Sequence, residues 1–468
     1  MKKIFCVVLF ISLAFVKISL AKEQFISEKQ QKIAEQLIQD ALESDLAYSI
    51  VESLTTEIGP RLAGSNVEYK ARLWGENLGN ELKFDNVSIE NFSMPFWDRG
   101  ELNIKLTSPY ELELYGTALG GAAPSSNEII ADIVYFRSLN EIAEVTKGEL
   151  TNKIAFIDGD RMVKSQTGAG YRSANLRRRV GWQHAQRAGA SALIIRSVGS
   201  DSHRFAHAGM MSKAANGSWA SIPVIAISNP DADQLRRLHK LDKPLSASVI
   251  SNSKWKDKVE SGNVILEIVG SEKPEEIVLI GAHLDSWDLG TGAVDDGAGI
   301  AITTAAAKLI ANLNRRPKRT IRVVMFGAEE VGLIGARAYA AEHADELKNH
   351  IIATESDFGA QTVWQLSSNV NNEADAFINE IAAILSPLGI VRGSNTYKSG
   401  GPDITPLVER NVATIRLQQN GMDYFDLHHT PDDTLDKIDP TALAQNVAAY
   451  AATIYLIADS NIVFQRSE

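Results

Sequence analysis

The sequence predicts an α/β protein with a doubly wound, mostly parallel sheet, into which a second, β-rich α/β domain is inserted. Two patterns and the chain length support this prediction. After about residue 262, apolar runs of strand length alternate with segments of helical periodicity, as in a parallel sheet covered by helices. Between about 129 and 250, short β-type runs surround a single good helix. A chain of 468 residues also exceeds one ordinary core, so we expect at least two domains.

Residues 1–21 are predicted to be a signal peptide of bacterial type. Lys2 and Lys3 precede an apolar core at 4–16, and the small-residue cleavage site Ser19-Leu20-Ala21 follows it. The apolar run is too short to span a bilayer comfortably. We therefore expect an exported protein, periplasmic or secreted, without a membrane anchor after cleavage.

Residues 22–120 are expected to form the first part of the larger domain. They contain two segments of helical pattern and two of strand pattern, at 28–56, 67–82, 87–92 and 101–106. At 120–126 the composition turns to Gly, Ala, Pro and Ser, which indicates a linker.

Residues 121–250 are expected to form the inserted domain. Its predicted strands and helix lie at 130–136, 154–157, 174–188 (the helix), 192–195 and 224–227. The runs K-I-A-F-I-D-G (153–159), A-G-A-S-A-L-I-I (188–195) and I-P-V-I-A-I (222–227) resemble a protease-associated (PA) domain. The resemblance leaves two roles open: a lid that shapes a substrate cleft, or a module for packing or dimer formation.

Charge and cysteine usage narrow the range of partners. The net charge of −11 argues against nucleic acid or an anionic membrane as a general partner. The one basic run, 177–179, favours a solvated helix face, with a patch facing substrate or partner as the alternative. His203 and His207 lie in a loop rich in small residues, and we expect them to be solvated rather than metal ligands. The only cysteine, Cys6, lies in the signal peptide, so the mature chain would have no disulfide.

Residues 251–468 are expected to carry the functional site. Their predicted strands and helices alternate at 277–280, 299–313, 321–326, 332–343 and 374–385. Both strands end just before polar residues, and in open α/β sheets sites gather at the carboxyl ends of strands. Five side chains here suit zinc, and they are His283, Asp295, Glu330, Asp357 and His429. Because two ions about 3.5–4 Å apart can share a bridging carboxylate, five ligands suffice for two zinc ions.

The local sequence also assigns a role to one residue of this set, Asp295, and to two residues beside it. Asp295 lies in the Gly-rich turn G-T-G-A-V-D-D-G-A-G, where the backbone can pass close to the ions, so we expect it to bridge them. Asp285 follows His283 by two residues, on the same side of a strand, and is expected to orient the imidazole. Glu329, beside a ligand, is the candidate that takes a proton from water and passes it to a leaving amine. Each motif alone is weak, and the conjunction carries the prediction.

With these segments in view, residues 277–439 resemble the M28 family of co-catalytic zinc exopeptidases, and especially its carboxypeptidase Q branch. The shared segments are G-x-H-L-D-S-W-D (281–288), R-P-K-R-T (316–320), A-E-E (328–330), E-S-D (355–357) and Y-F-x-x-H-H (424–429). The resemblance implies that His283 and Asp357 hold one zinc, that Glu330 and His429 hold the other, that Asp295 bridges them, and that Glu329 is the general base and acid.

The resemblance has further implications. The Asp295–Asp296 peptide bond is expected to be cis. His428 stands where some relatives have a tyrosine that stabilises the oxyanion, although a supporting or packing role fits equally well. The segment 399–407 matches a loop on the substrate side, which makes Gly400, Gly401 and Asp403 weaker pocket candidates. A homodimer is implied by the resemblance alone.

The function implied is that of a secreted dizinc exopeptidase acting on dipeptides or short peptides, as a metallodipeptidase or carboxypeptidase. An aminopeptidase is the alternative within the family. A non-catalytic binding protein on the same scaffold is a remote alternative, as is one-zinc glutaminyl cyclase chemistry. A carboxypeptidase needs a cation that faces the substrate carboxylate, and the candidates are Arg392, Lys398 and Arg416.

Overall fold

The computed structural model describes residues 24–467, in which two eight-stranded sheets are flanked by helices. The predicted signal peptide lies outside these residues. The helices are α1 (Glu28–Glu43), α2 (Leu46–Ser53), α3 (Asn66–Glu81), α4 (Leu139–Ala143), α5 (Tyr171–Arg187), α6 (Asn229–Lys240), α7 (Ala298–Ala311), α8 (Ile334–Glu342), α9 (Asn372–Leu385), α10 (Thr405–Val408), α11 (Tyr424–Leu427) and α12 (Pro440–Ala458). The strands are β1 (Asn86–Asp98), β2 (Leu102–Ser108), β3 (Leu112–Glu113), β4 (Gly116–Ala118), β5 (Ile129–Phe136), β6 (Ile154–Ile157), β7 (Ala192–Arg196), β8 (Val224–Ile227), β9 (Ser246–Ser251), β10 (Lys254–Ile268), β11 (Lys273–His283), β12 (Arg319–Phe326), β13 (His350–Glu355), β14 (Val363–Asn369), β15 (Val391–Arg392) and β16 (Thr414–Gln419).

The larger sheet has a parallel centre and antiparallel strands on both sides of it. Its order is β1-β10-β12-β11-β13-β16-β14-β15, and neighbours from β12 to β16 run parallel. β10 and β14 run antiparallel to this centre. The α/β class is thus confirmed, and the sheet is mixed. β1 leads into the inserted domain and β10 returns from it, and the two form an antiparallel pair at one side of the sheet.

Side chains of the central strands alternate between two cores. Val278 and Ile280 of β11 face the core formed with α7 and α12, whereas Ile277 and Leu279 face the core formed with α8. This alternation is the signature of a doubly wound sheet. Helix α12 is long and apolar enough to cross a membrane, but 94% of its apolar window is buried inside the protein, so it is a core helix.

The second sheet, in the order β3-β2-β9-β5-β6-β7-β8-β4, takes its strands from Leu102 to Ser251. We call residues 102–251 the inserted domain. Helix α5 covers one face of its sheet and α6 the other. The expected start at 121 is too late, because β2, β3 and β4 belong to this sheet. The partners of β2 and β4, which are β9 and β8, lie more than a hundred residues further on, so the local pattern did not reveal the pairing.

One helix prediction also differs from the structure. The segment 28–56 forms two helices, because Ser44 leaves helical geometry after α1 with an extended backbone. Helix α1 begins with a capping box in which Ser27 and Gln30 satisfy each other's main-chain N–H groups. Together α1, α2, α7 and α12 form the main core against the larger sheet.

Candidate metal centre

The five predicted ligands converge at the carboxyl edge of the parallel strands. His283 is the last residue of β11, while Glu330 and Asp357 follow β12 and β13. Asp295 lies in the turn before α7, and its peptide bond with Asp296 is cis, as the family resemblance implied. His429 follows α11. Because neighbouring parallel strands end at the same edge, the fold brings together residues up to about 150 positions apart in the sequence.

The side chains form two groups that share Asp295. His283 Nε2 lies 3.0 Å from Asp295 Oδ1 and 3.7 Å from Asp357 Oδ1. His429 Nε2 lies 3.0 Å from Glu330 Oε2 and 3.4 Å from Asp295 Oδ2. Each oxygen of Asp295 therefore faces a different histidine, which is the arrangement that a bridging carboxylate requires.

Unpartnered buried oxygens show that the centre fits cations. Asp295 Oδ2 and Glu330 Oε1 are buried and lack a hydrogen-bond partner. Burial raises the pKa of Asp295 and raises that of Glu330 well above its usual range, and repulsion between neighbouring carboxylates adds to both shifts. Divalent cations would supply the missing partners and the missing positive charge. The donors are imidazole nitrogen and carboxylate oxygen, which zinc accepts readily.

Asp285 contacts different groups from those expected. The main-chain carbonyl of Asp285 lies 2.8 Å from His283 Nδ1, whereas its carboxylate Oδ1 lies 3.9 Å away, beyond hydrogen-bond distance. The carboxylate accepts the main-chain N–H groups of Glu329 at 2.9 Å and Glu330 at 3.3 Å. The strand ends at His283, so the alternation of side chains does not continue to Asp285. Asp285 therefore orients the two glutamates, and its carbonyl orients the imidazole.

Glu329 faces the cavity beside the ligands. Its main chain is held by Asp285, whereas its side chain is half-buried and has no ion pair within residues 24–467. Burial raises the pKa of Glu329 well above its usual range, and the neighbouring carboxylates of Asp357 and Asp285 raise it further. A carboxyl group with a raised pKa is a stronger base than an exposed glutamate, which suits a group that accepts a proton.

His428 also lies at the centre. Its ring stacks on that of His429 with the centroids 3.4 Å apart, and its Nε2 lies 3.8 Å from Asp295 Oδ2. Its Nδ1 is buried and has no hydrogen-bond partner. Burial lowers the pKa of His428 well below its usual range, so the ring is neutral and one of its nitrogens carries an N–H.

The inserted domain holds the turn that carries His429. His429 Nδ1 lies 3.1 Å from the carbonyl of Ala208, and the Ala208 N–H donates to the carbonyl of His429 at 2.9 Å. His207 Nδ1 lies 2.7 Å from the carbonyl of His428, and its Nε2 lies 2.6 Å from Asp201 Oδ1. An Nδ1–H that donates to a carbonyl leaves the Nε2 lone pair of His429 free for a metal. His207 is thus buried and bonded, and the expectation that it is solvated was wrong.

Several supporting residues were not identified from the sequence. The buried Arg61 donates to the carbonyls of Leu284, Thr291 and Gly292, which shapes the turn before Asp295. The Asp433 carboxylate accepts the N–H of Asp295 at 3.2 Å, and burial raises the pKa of Asp433 to about 7. The Trp287 indole donates to Glu330 Oε2 at 2.7 Å. Trp287 and Asp433 lie inside the stretch 277–439 that resembles the family, but the sequence assigned no role to either of them or to Arg61.

A cavity of about 860 Å³ opens onto the centre and is lined by both domains. Arg416 lines it, whereas Arg392 pairs with Asp375 and, like Lys398, lies outside the lining. In the segment 399–407, Ser399 and Pro402 line the cavity. The predicted pocket residues Gly400, Gly401 and Asp403 do not, because they are buried against neighbouring elements, where Asp403 donates its N–H to Glu355 at 2.9 Å.

The basic run 177–179 is not a solvated helix face. Arg177 and Arg178 are 6% and 5% exposed, and Arg178 and Arg179 line the cavity. Helix α5 lies between the sheet of the inserted domain and the metal centre, which explains why Arg177 and Arg178 are buried, whereas Arg179 is exposed.

Comparisons with known proteins agree with this geometry. The model of peptidase family M28 matches residues 263–454. Carboxypeptidase Q of Mus musculus is 31% identical over 425 residues, which cover 90% of this chain and 87% of that protein. Aminopeptidase YwaD of Bacillus subtilis (strain 168) is 26% identical over 423 residues, which cover 87% and 84% of the two chains. The crystal structure of a peptidase M28 precursor from Shewanella amazonensis superposes with a TM-score of 0.91 at 46% identity and covers 94% of this chain and 99% of that one.

Proposed function

The chain belongs to peptidase family M28 and is a metallopeptidase, and from this premise we propose that it is a dizinc exopeptidase acting on dipeptides or short peptides with a free carboxyl end. The observation that carries the proposal is the pair of donor groups that share Asp295, with Glu329 beside them at the cavity. The resemblance to carboxypeptidase Q supports the substrate class.

His283 and Asp357 would hold one zinc ion, Glu330 and His429 the other, and Asp295 would bridge them. The short contacts between the side chains of each group support this division. The unpartnered buried oxygens of Asp295 and Glu330 support a cation as the missing neighbour beside Glu330 and His429. Zinc ions held here would polarise the scissile carbonyl and lower the pKa of water.

Proton transfer and stabilisation of the developing negative charge would be carried out by side chains of the protein. Glu329, directed by the contact of its main chain with Asp285, would take a proton from the attacking water and pass it to the amine that leaves. The neutral His428 would direct its N–H towards the carbonyl oxygen as negative charge develops there, since it has an unpartnered ring nitrogen at the centre. The inserted domain would close the cavity from the opposite side and limit the access of water.

An aminopeptidase remains the second candidate, supported by the similarity to the Bacillus subtilis enzyme. Such an enzyme needs a carboxylate for the substrate ammonium, and the cavity lining contains Glu329 and Asp357. Cations in the same lining, such as Arg416, would attract a substrate carboxylate, which favours recognition of a free carboxyl end over a free amino end. Export and dimer formation remain predictions, the first from residues 1–21 and the second from the family resemblance.

Matched dipeptides test the proposal. The zinc-loaded mature protein would be assayed with one dipeptide that has free ends, a blocked N-terminus or a blocked C-terminus. Cleavage that requires a free C-terminus supports the proposal, and cleavage that requires only a free N-terminus makes the protein an aminopeptidase. If none of the three is cleaved while two zinc ions are bound, the proposal fails, and the binding-protein and cyclase alternatives return.

A further inference from the structure

A second cavity, of about 760 Å³, lies at the amino edge of the parallel strands, opposite to the edge that carries the metal centre. Strands β11, β12 and β13 begin there, and the loop before β16 and the C-terminal segment 462–467 also line the cavity. Besides one histidine, its titratable lining residues are five cations and one carboxylate, which are Lys273, Arg319, Lys348, Arg410, Arg466 and Glu276. We call this cavity the basic groove.

The single carboxylate of the basic groove already serves two of the five cations. Glu276 forms ion pairs with Lys273, at 3.1 Å, and with Arg319. The other nitrogens of Arg319 donate to main-chain carbonyls of the segment 457–462. The histidine of the lining, His350, is neutral near pH 7, because burial lowers its pKa to about 4. Neither Arg319 nor Glu276 is therefore available to a further partner.

The remaining three cations have no carboxylate to compensate them. Among residues 24–467, the ion pairs of the groove are those of Glu276, which leave out Lys348, Arg410 and Arg466. Glu409 precedes Arg410 in the sequence, but it is exposed and lies outside the groove lining. The protein as a whole has a net charge of −11, so this local excess of positive charge is opposite to the overall balance.

Two of these cations are drawn to one end of the same short helix. Arg410 Nη1 donates to the carbonyl of Pro406 at 3.0 Å, and Arg466 Nη1 donates to the carbonyl of Val408 at 2.7 Å. Both carbonyls belong to α10, within a single turn. Capping of a helix end explains one N–H of each guanidinium. A guanidinium has five N–H donors, so most donors of both groups have no acceptor in the described part of the chain.

This arrangement suits a phosphate group. Two like charges held within one helical turn repel each other, and an anion between them replaces that repulsion by attraction. The planar fork of a guanidinium matches the oxygens of phosphate in pairs, and lysine adds a point charge. The volume of the groove falls in the range of about 300–1,000 Å³ that small-molecule sites have, so a larger molecule that carries a phosphate also fits.

We propose that the basic groove binds phosphate, as the free ion or as the phosphate group of a small molecule, through Arg410, Arg466 and Lys348. Three separate segments of the chain contribute these side chains, so the fold creates the site. It lies across the sheet from the metal centre, and the inference is independent of the peptidase activity.

The test is a calorimetric titration of the zinc-loaded mature protein. The probes are inorganic phosphate and phenyl phosphate, with sodium chloride at the same ionic strength as the reference. The proteins are wild type, the double variant Arg410→Gln/Arg466→Gln, Lys348→Gln and Arg237→Gln. Arg237 is an exposed arginine of α6 outside the groove and serves as the matched control. Phosphate bound to zinc is common to all four proteins, so differences between them report on the groove.

We expect the double variant to weaken phosphate binding by about tenfold or more, because it removes both guanidinium groups. Lys348→Gln should weaken binding by a smaller factor, and Arg237→Gln should match wild type. Tighter binding of phenyl phosphate than of inorganic phosphate would identify a phosphate ester as the ligand class. Equal or weaker binding of the ester would identify the free ion.

Two outcomes would overturn the inference. One is equal affinity for both phosphates in wild type and the double variant. The other is a wild-type response that sodium chloride reproduces at the same ionic strength, since the effect would then be general screening of charge. If the double variant does not fold, Lys348→Gln decides alone, because Lys348 is exposed and its side chain makes no hydrogen bond within residues 24–467.

Discussion

Replacing His207 with alanine would test whether the inserted domain supports the metal centre. The His207 ring connects the carbonyl of His428, at 2.7 Å, with Asp201 Oδ1, at 2.6 Å. After the replacement Asp201 would still accept N–H groups of His203 and Asn229, so the group left without its partner is the buried carbonyl of His428. One unsatisfied buried carbonyl costs about 1–3 kcal/mol, which is the expected loss in the free energy of unfolding.

The same change should weaken one zinc site and spare the other. Because His428 adjoins His429, loss of the contact frees the turn that carries this ligand. Removal of a group that orients a metal ligand typically lowers metal affinity by about 10–100-fold. His283 and Asp357 make no hydrogen bond to the inserted domain among the described residues, so their ion should keep its affinity.

Zinc retained after dialysis against a series of chelator concentrations would measure the effect, together with urea unfolding of the same samples. We expect two ions with clearly different affinities in His207→Ala and little change in the control His203→Ala, which alters an exposed histidine of the same loop. Retention of both ions with wild-type affinity would refute the reasoning. Equal weakening of both ions would show that His207 supports the whole fold rather than one ligand.

Three further predictions concern the centre and the core. Glu329→Gln should keep both zinc ions but lower kcat by about 10²–10⁴-fold, because only the proton carrier is lost; near wild-type turnover would exclude Glu329 as the base. Alanine at His429 or Asp357 should reduce bound zinc, as measured by elemental analysis, and unchanged stoichiometry would remove that residue from the ligand set. Burial lowers the pKa of His350 to about 4, so the native state binds fewer protons than the unfolded state between that value and the unfolded pKa of about 6.5. Stability should therefore fall as the pH drops through this window, by about 3 kcal/mol from this residue. His350→Gln, which cannot titrate, should make that decline shallower in urea unfolding at pH 4–7. An equally steep decline in the variant and the wild type would show that His350 does not cause it.

Much of the fold was predictable because its signals are local. The apolar runs of β11 and β12 and the helical periodicity of α7, α8 and α9 lie in continuous segments, and the structure places these elements within a few residues of the predicted bounds. The start of the inserted domain was not predictable in this way. Strands β2 and β4 are assigned to it by pairing with β9 and β8, whose sequences are far away.

The residues of the candidate site likewise divide into those that local sequence could identify and those that depend on distant segments. Residue type and position at strand ends were sufficient to nominate His283 and Glu330, because the carboxyl ends of parallel strands meet at one edge wherever the helices lie. Asp357 was nominated by residue type and by the family resemblance, since no strand was predicted before it. The sequence by itself thus determined which side chains suit a metal and which edge of the sheet they share.

Only the tertiary structure decided what surrounds them. Arg178 and His207 reach His428 and His429 across more than 200 residues of sequence, and no periodicity links such distant segments. The carboxylate of Asp285 turned to Glu329 because its strand had ended, a fact of backbone geometry rather than of spacing. Local patterns record how a residue relates to its near neighbours, whereas burial, counter-charge and hydrogen-bond partners depend on how the two domains pack.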